Sequence, residues 1–183
     1  MFVSGAVPDS QASYEIYVAN VDGSNQVRLT NNHSLDADPA WSPDSKRIVF
    51  TCFPDGFVDG GQNNAEICVM NADSSNVIRL TNDPAWDSAP AWSWDGTRIL
   101  FNSLRGCNGQ DAIYVMNADG GNTTRLPDCG ENARPGNWSP DGKRIVYESK
   151  RDGNSEIYSI NADPSHQTNI TQNPAEDIEP VWS

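Results

Sequence analysis

Asp36 and Asp38, Asp83 and Asp87, Asp128 and Glu131, and Glu176, Asp177 and Glu179 form four short acidic stretches in a chain of 183 residues. Carboxylate oxygens are the natural ligands of hard cations, and Asp38, Asp87 and Glu179 are the set that would suit calcium. No Asp-x-Asp-x-Asp-Gly loop is present, and aspartates in turns commonly bond their own backbone, so the expectation is no metal and no cofactor, with calcium as the alternative. Nor is there a Gly-x-Ser-x-Gly elbow to pair with His33 or His166, and no catalytic residue is assigned. Cys52, Cys68, Cys107 and Cys129 form no CxxC pair, which argues against zinc. They remain as two disulfides, Cys52 with Cys68 and Cys107 with Cys129, or as reduced thiols. Disulfides would place the chain in an oxidising compartment, periplasmic or extracellular.

These residues are positioned by a repeat. Trp41, Trp92, Trp138 and Trp182 stand 51, 46 and 44 residues apart, and Ile16, Ile67, Ile113 and Ile157 keep the same intervals. So do Leu29, Leu80, Leu126 and Ile170. Three markers in one register, with a period in the forties and short strands, point to propeller blades. The units run approximately over 1–38, 39–89, 90–135 and 136–179, with 180–183 supplying an inner strand, all within one domain.

Each unit reads as four short strands. In the second, "PAWS" is strand a, "SPDSK" a tight turn, "RIVFTC" strand b, "EICVMN" strand c and "VIRLT" strand d. Strands b and c are apolar at consecutive positions, the pattern of a sheet covered on both faces. Asp44, Asp95 and Asp141 occupy equivalent turns and are expected to tie them. The periodic tryptophans are expected to wedge between successive sheets, each burying about 150–250 Å² and contributing at most about 4–6 kcal/mol.

The pattern PAWSPDGxRIxFxSxxxGxxEIYxMNADGxNxxRLT resembles the repeat of TolB-type, WD-like β-propellers over essentially the whole chain. The resemblance implies an all-β propeller of four-stranded antiparallel blades, usually about six to a ring, here with four repeats. It also implies a bacterial envelope scaffold that contacts protein partners. Within the pattern, Trp94 stands where the turn has proline, Ser45 where it has glycine, and Cys68 where other units have Tyr17, Tyr114 or Tyr158. "MFVS" aligns with strand b, so the first blade is expected to lack its inner strand. Three assemblies stay open: part of a longer propeller, a homodimer pooling its repeats into an eight-bladed ring, or a closed four-bladed ring.

In a blade the d-to-a and b-to-c loops share one face, and the a-to-b and c-to-d loops share the other. The acidic stretches and His33 belong to the first, and His166 to the second. Trp86 also lies on the acidic side and has no counterpart in other units, so no repeat-wide duty explains it. With Phe57 of the long "FPDGFVDGGQNNA" loop and with Asp36, Asp38, Asp87, Asp177 and Glu179, it makes the candidate binding set for a protein or peptide. A net charge of -13 disfavours nucleic acid and anionic membranes as partners. No stretch approaches the roughly 18–20 apolar residues of a membrane span, and the start lacks a basic, apolar leader. The expected function is therefore a non-catalytic binding module. The alternatives are a gating propeller of a peptidase, a metal-dependent sugar lyase relative, or a self-associating half-propeller.

Overall fold

The structure, a computed structural model, describes residues 1–5, 14–32, 34–53, 64–105, 110–126 and 133–182. The described residues are all-β and form antiparallel sheets of the propeller-blade type, each running in simple sequence order. The first contains β1 (Phe2–Gly5), β2 (Tyr14–Val18) and β3 (Val27–Arg28). β4 (Ala37–Trp41), β5 (Arg47–Cys52), β6 (Glu66–Asn71) and β7 (Ile78–Arg79) make the second. The third has β8 (Asp87–Trp92), β9 (Arg98–Ser103), β10 (Ala112–Asn117) and β11 (Thr124–Arg125), and the fourth β12 (Arg134–Trp138), β13 (Arg144–Ser149), β14 (Glu156–Asn161) and β15 (Thr168–Asn169). The chain divides into two compact units, Met1–Pro90 and Ala91–Ser183, each described by itself.

Hairpin chemistry sets the strands in register. Ser42, Ser93 and Ser139 each donate a hydroxyl hydrogen bond of 2.6 Å to Asp44, Asp95 and Asp141, and each accepts one of 2.9 Å from the backbone N–H of the arginine that opens the next strand. Asp95 is held down to about 2, first by the Ser93 hydroxyl and then by the Thr97 N–H. In the middle strands, Ile48, Val49 and Phe50 are consecutive and buried, so both faces of β5 are covered.

In the first unit, Ile16 and Leu29 of the first sheet pack on Ile48, Phe50, Cys52, Cys68 and Met70 of the second. Across the equivalent step of the second unit, Leu100, Ile113, Val115 and Leu126 meet Trp138, Ile145, Tyr147, Tyr158 and Ile160. Trp138 is fully buried there, its Nε1 donating to Ala91 O at 3.3 Å. Above its ring, 4.6 Å from the centroid, lies the Arg98 guanidinium, which also donates to Gly142 O at 3.1 Å and Ala162 O at 3.2 Å. The third sheet thus grips the fourth by an indole and a guanidinium together.

The tryptophans are not equivalent, which corrects the expectation of four like wedges. Trp92 is 6% exposed, Trp182 is half-buried and Trp41 is 36% exposed. Residues 180–182, expected as an inner strand, form no ladder in the described structure. Pro180 instead lies against Gly136 of β12, where an added Cβ would come within 2.8 Å of Pro180 Cγ and 2.7 Å of Val146 O. The same glycine sits in the β12 bulge.

The sheets differ in one further device. Cross-strand aromatic partners Phe2 and Tyr17, Phe101 and Tyr114, and Tyr147 and Tyr158 stack at 5.5–5.6 Å. Arg105 lies over the second of these pairs, 5.1 Å from the Tyr114 centroid, and Arg151 over the third, 4.0 Å from that of Tyr158. In the second sheet Cys68 faces Phe50 at the tyrosine position and is disulfide-bonded to Cys52. A covalent link thus stands where the third and fourth sheets use a ring and a cation.

Two measurements follow. Trp138→Ala should cost about 3–5 kcal/mol in urea unfolding, whereas Trp41→Ala should cost about 1 kcal/mol. Reduction of Cys52–Cys68, which closes a loop with a sequence separation of 16, should lower stability by about 2–4 kcal/mol, read as a drop in melting temperature on adding reductant.

Candidate functional site

The acidic connections resolve into two layers. Asp36, Asp87 and Asp177 are equivalent in the repeat, and their N–H groups donate to Tyr14 O, Ala65 O and Ser155 O at 2.8 Å each. Asn32 and Asn173 in turn donate to the carboxylates of Asp36 (2.9 Å) and Asp177 (2.7 Å). Asp36 is only 1% exposed and Asp87 is fully buried. Burial removes both from the surface set the sequence suggested, because they brace the link between one strand c and the following strand a. Asp177 is half-buried in the same role.

A second set of acids escaped sequence reasoning. Glu15, Glu66 and Glu156 stand at one register near the start of β2, β6 and β14, with Ala112 in their place in β10. All three are buried. Arg28 donates to Glu15 at 2.6 Å and Arg79 to Glu66 at 2.5 Å. Thr81 donates to Glu66 at 2.6 Å, and Thr171 donates to Glu156. The threonine hydroxyls meanwhile accept from the strands: Ile67 N to Thr81 at 2.9 Å and Ile157 N to Thr171 at 3.0 Å. Burial raises the Glu66 carboxyl despite these partners, whereas the Thr171 hydrogen bond holds that of Glu156 down. The recurring Glu-Ile dipeptide was the available signal. An acid at a strand start reads as solvated until its partners are known.

The outer layer is Asp38 and Glu179, both exposed. Each precedes a proline in a left-handed conformation, φ 49° and 54°, as does Ala89 at 52°. Thr51 Oγ1 donates to Asp38 at 2.9 Å and accepts from Ala89 N at 3.2 Å, so two connections share one hydroxyl. Because the strained backbone recurs, it belongs to the repeat and its bulged inner strand. Among the described residues, no three His, Cys, Asp or Glu side chains converge to hold a metal. Of the residues weighed for calcium, Asp87 is enclosed while Asp38 and Glu179 face solvent. His166 is exposed and bonded within its own turn to Ser165 at 3.0 Å. His33, Phe57, Cys107, Asp128, Cys129 and Glu131 lie outside the described residues.

Trp86 remains as the distinctive group. It is 39% exposed, and Phe53, itself buried, meets it edge-on with ring centroids 5.2 Å apart and planes at 82°. One part of the indole is therefore anchored and the other presented, which is how aromatic residues act at binding hot spots. Nearby Asp83 takes the Ala85 N–H at 2.9 Å and shapes the turn that carries the indole.

Comparison with known proteins places this geometry. The model of the TolB beta propeller domain family matches residues 54–147. The Tol-Pal system protein TolB of Anaeromyxobacter dehalogenans (strain 2CP-C) is 31% identical over 123 residues, covering 48% of this chain and 28% of the relative. The chain thus spans less than a third of that protein's length. Among solved structures, TolB from Acinetobacter baumannii superposes with a TM-score of 0.72 at 24% identity, over 86% of this chain and 37% of that one. An oligogalacturonate lyase in complex with manganese superposes with a TM-score of 0.62 at 14% identity, over 87% and 42%. At these identities the structural likenesses show the fold alone.

Burial pushes the Asp36 carboxyl up to about 6, against the pull of Asn32 and Thr30. An unfolded aspartate titrates at about 3.9, so the native chain holds this proton more tightly. The resulting stability is fully present below pH ~4 and is lost as pH rises to ~6. In Asp36→Asn this fall should be absent, measured as the urea midpoint against pH.

Proposed function

The chain belongs to the TolB β-propeller domain family, and from that premise we propose that it is a non-catalytic module that binds a protein or peptide through the connection carrying Trp86. The observation that carries this reading is the half-anchored, half-presented indole: outside the repeat's own needs, and fixed by Phe53 at low entropic cost. The supporting acids are the exposed ones, Asp38 and Glu179, and no cofactor enters the reading. The Tol-Pal names of the relatives support a place in a bacterial envelope assembly, and the Cys52–Cys68 disulfide supports an oxidising compartment such as the periplasm. Because the chain covers only part of those relatives, their partners are carried over as proposals. Two chains pooling their repeats into an eight-bladed ring is the assembly we favour testing first, by sedimentation against the 20.0 kDa of one chain.

The lyase likeness offers a second class, but it rests on fold alone, and folds of this kind host unrelated activities.

Peptides selected from a displayed library on the native chain should bind Trp86→Ala at least about tenfold more weakly, near 1.4 kcal/mol, with the melting temperature nearly unchanged. Selected peptides that bind both proteins equally would remove Trp86 from the site.

A further inference from the structure

The missing ring and cation of the second sheet leave a space. Where Tyr158 and Arg151 fill the step between the third and fourth sheets, the equivalent step in the first unit has Cys68 for the tyrosine, and the sequence has Pro54 for the arginine. A groove of about 520 Å³ opens there, floored by Leu29, Phe50 and the Cys52–Cys68 disulfide, with Asn32 and Asp36 on its polar side. Asp36 is 1% exposed, and its Oδ1 makes no hydrogen bond among the described residues. Asp36 lines the groove, and its buried carboxylate oxygen without a donor lacks a partner that the fold would ordinarily supply. Arg79, which also lines the groove, is already engaged by Glu66 at 2.5 Å and Thr81 O at 2.8 Å. The loop that follows Phe53, "PDGFVDGGQNNA", contains no lysine or arginine.

We propose that this groove is a docking site for an arginine side chain of a protein or peptide partner, whose guanidinium takes the place that Arg105 and Arg151 fill in the later sheets and pairs with Asp36. The apolar floor suits the arginine stem and the face of its planar head, and a net charge of -13 favours a basic partner. The proposal rests on the reading of the chain as a peptide-binding module, while naming a second contact with its own chemistry.

The probe is the peptide acetyl-Gly-Arg-Gly-amide, titrated to about 10 mM, the range in which a single anchor is measurable, with amide shifts of Leu29, Asn32 and Val77 followed by NMR. Saturable shifts are expected, with at least tenfold weaker binding of the citrulline peptide, which keeps the shape and loses the charge. Asp36→Asn should weaken the arginine peptide similarly. Combining Cys52→Ser, Pro54→Arg and Cys68→Tyr, which introduces the filling found in the third and fourth sheets, should abolish the response. Trp86→Ala should leave it intact, so failure at the groove and failure at the indole are read separately. No saturable shift on the native chain, or equal binding of the citrulline peptide, overturns the proposal. So does a response that appears only after Phe57→Ala, since the chain's own loop would then be the occupant.

Discussion

Everything else in this chain depends on closing the seam between successive sheets. Blades two to six residues wide along each strand cannot bury enough surface alone, and a repeat of this kind becomes stable only through its neighbours. At the best-defined seam, Trp138 supplies the buried area and Arg98 supplies direction, because its guanidinium reaches two carbonyl oxygens and one indole at once. Area without direction would let the sheets slide. The pairing of a large ring with a planar cation fixes both spacing and rotation.

The carboxylates obey the same constraint. A chain so acidic invites a search for metal or basic ligands, yet its most enclosed acids hold one strand to the next connection. Glu66 receives an arginine, a threonine and an asparagine, and Asp87 is tied to Ala65. Such groups are costly to bury, and at Glu66 the cost is offset by the three side chains that donate to it. What is left for function is what the repeat does not consume: Trp86, the exposed acids ahead of the prolines, and the groove where the second sheet departs from the pattern.

The architecture was legible because three independent markers share one spacing, and a shared spacing leaves little freedom for a different topology. Trp92 and Trp138 read correctly as interior from their periodicity. Trp41 did not, since it is 36% exposed at the same place in the repeat, and a pattern of tryptophans alone cannot reveal how completely a neighbouring sheet covers each one. Asp36 and Asp38 sit two positions apart in one acidic stretch, yet one is enclosed and the other faces solvent. Only the bulge in β4 decides which is which, and bulges leave little trace in composition. Cys68 was visible as an anomaly in the tyrosine column. That its replacement opens a groove required the positions of the side chains around it.

The Arg98 contact also has a polarity along the chain. The donors sit in the earlier sheet and the accepting carbonyls, of Gly142 and Ala162, in the later one. During synthesis the third sheet therefore already holds the guanidinium that will receive the fourth, so the fourth can be captured as it emerges rather than waiting for the whole chain to be released.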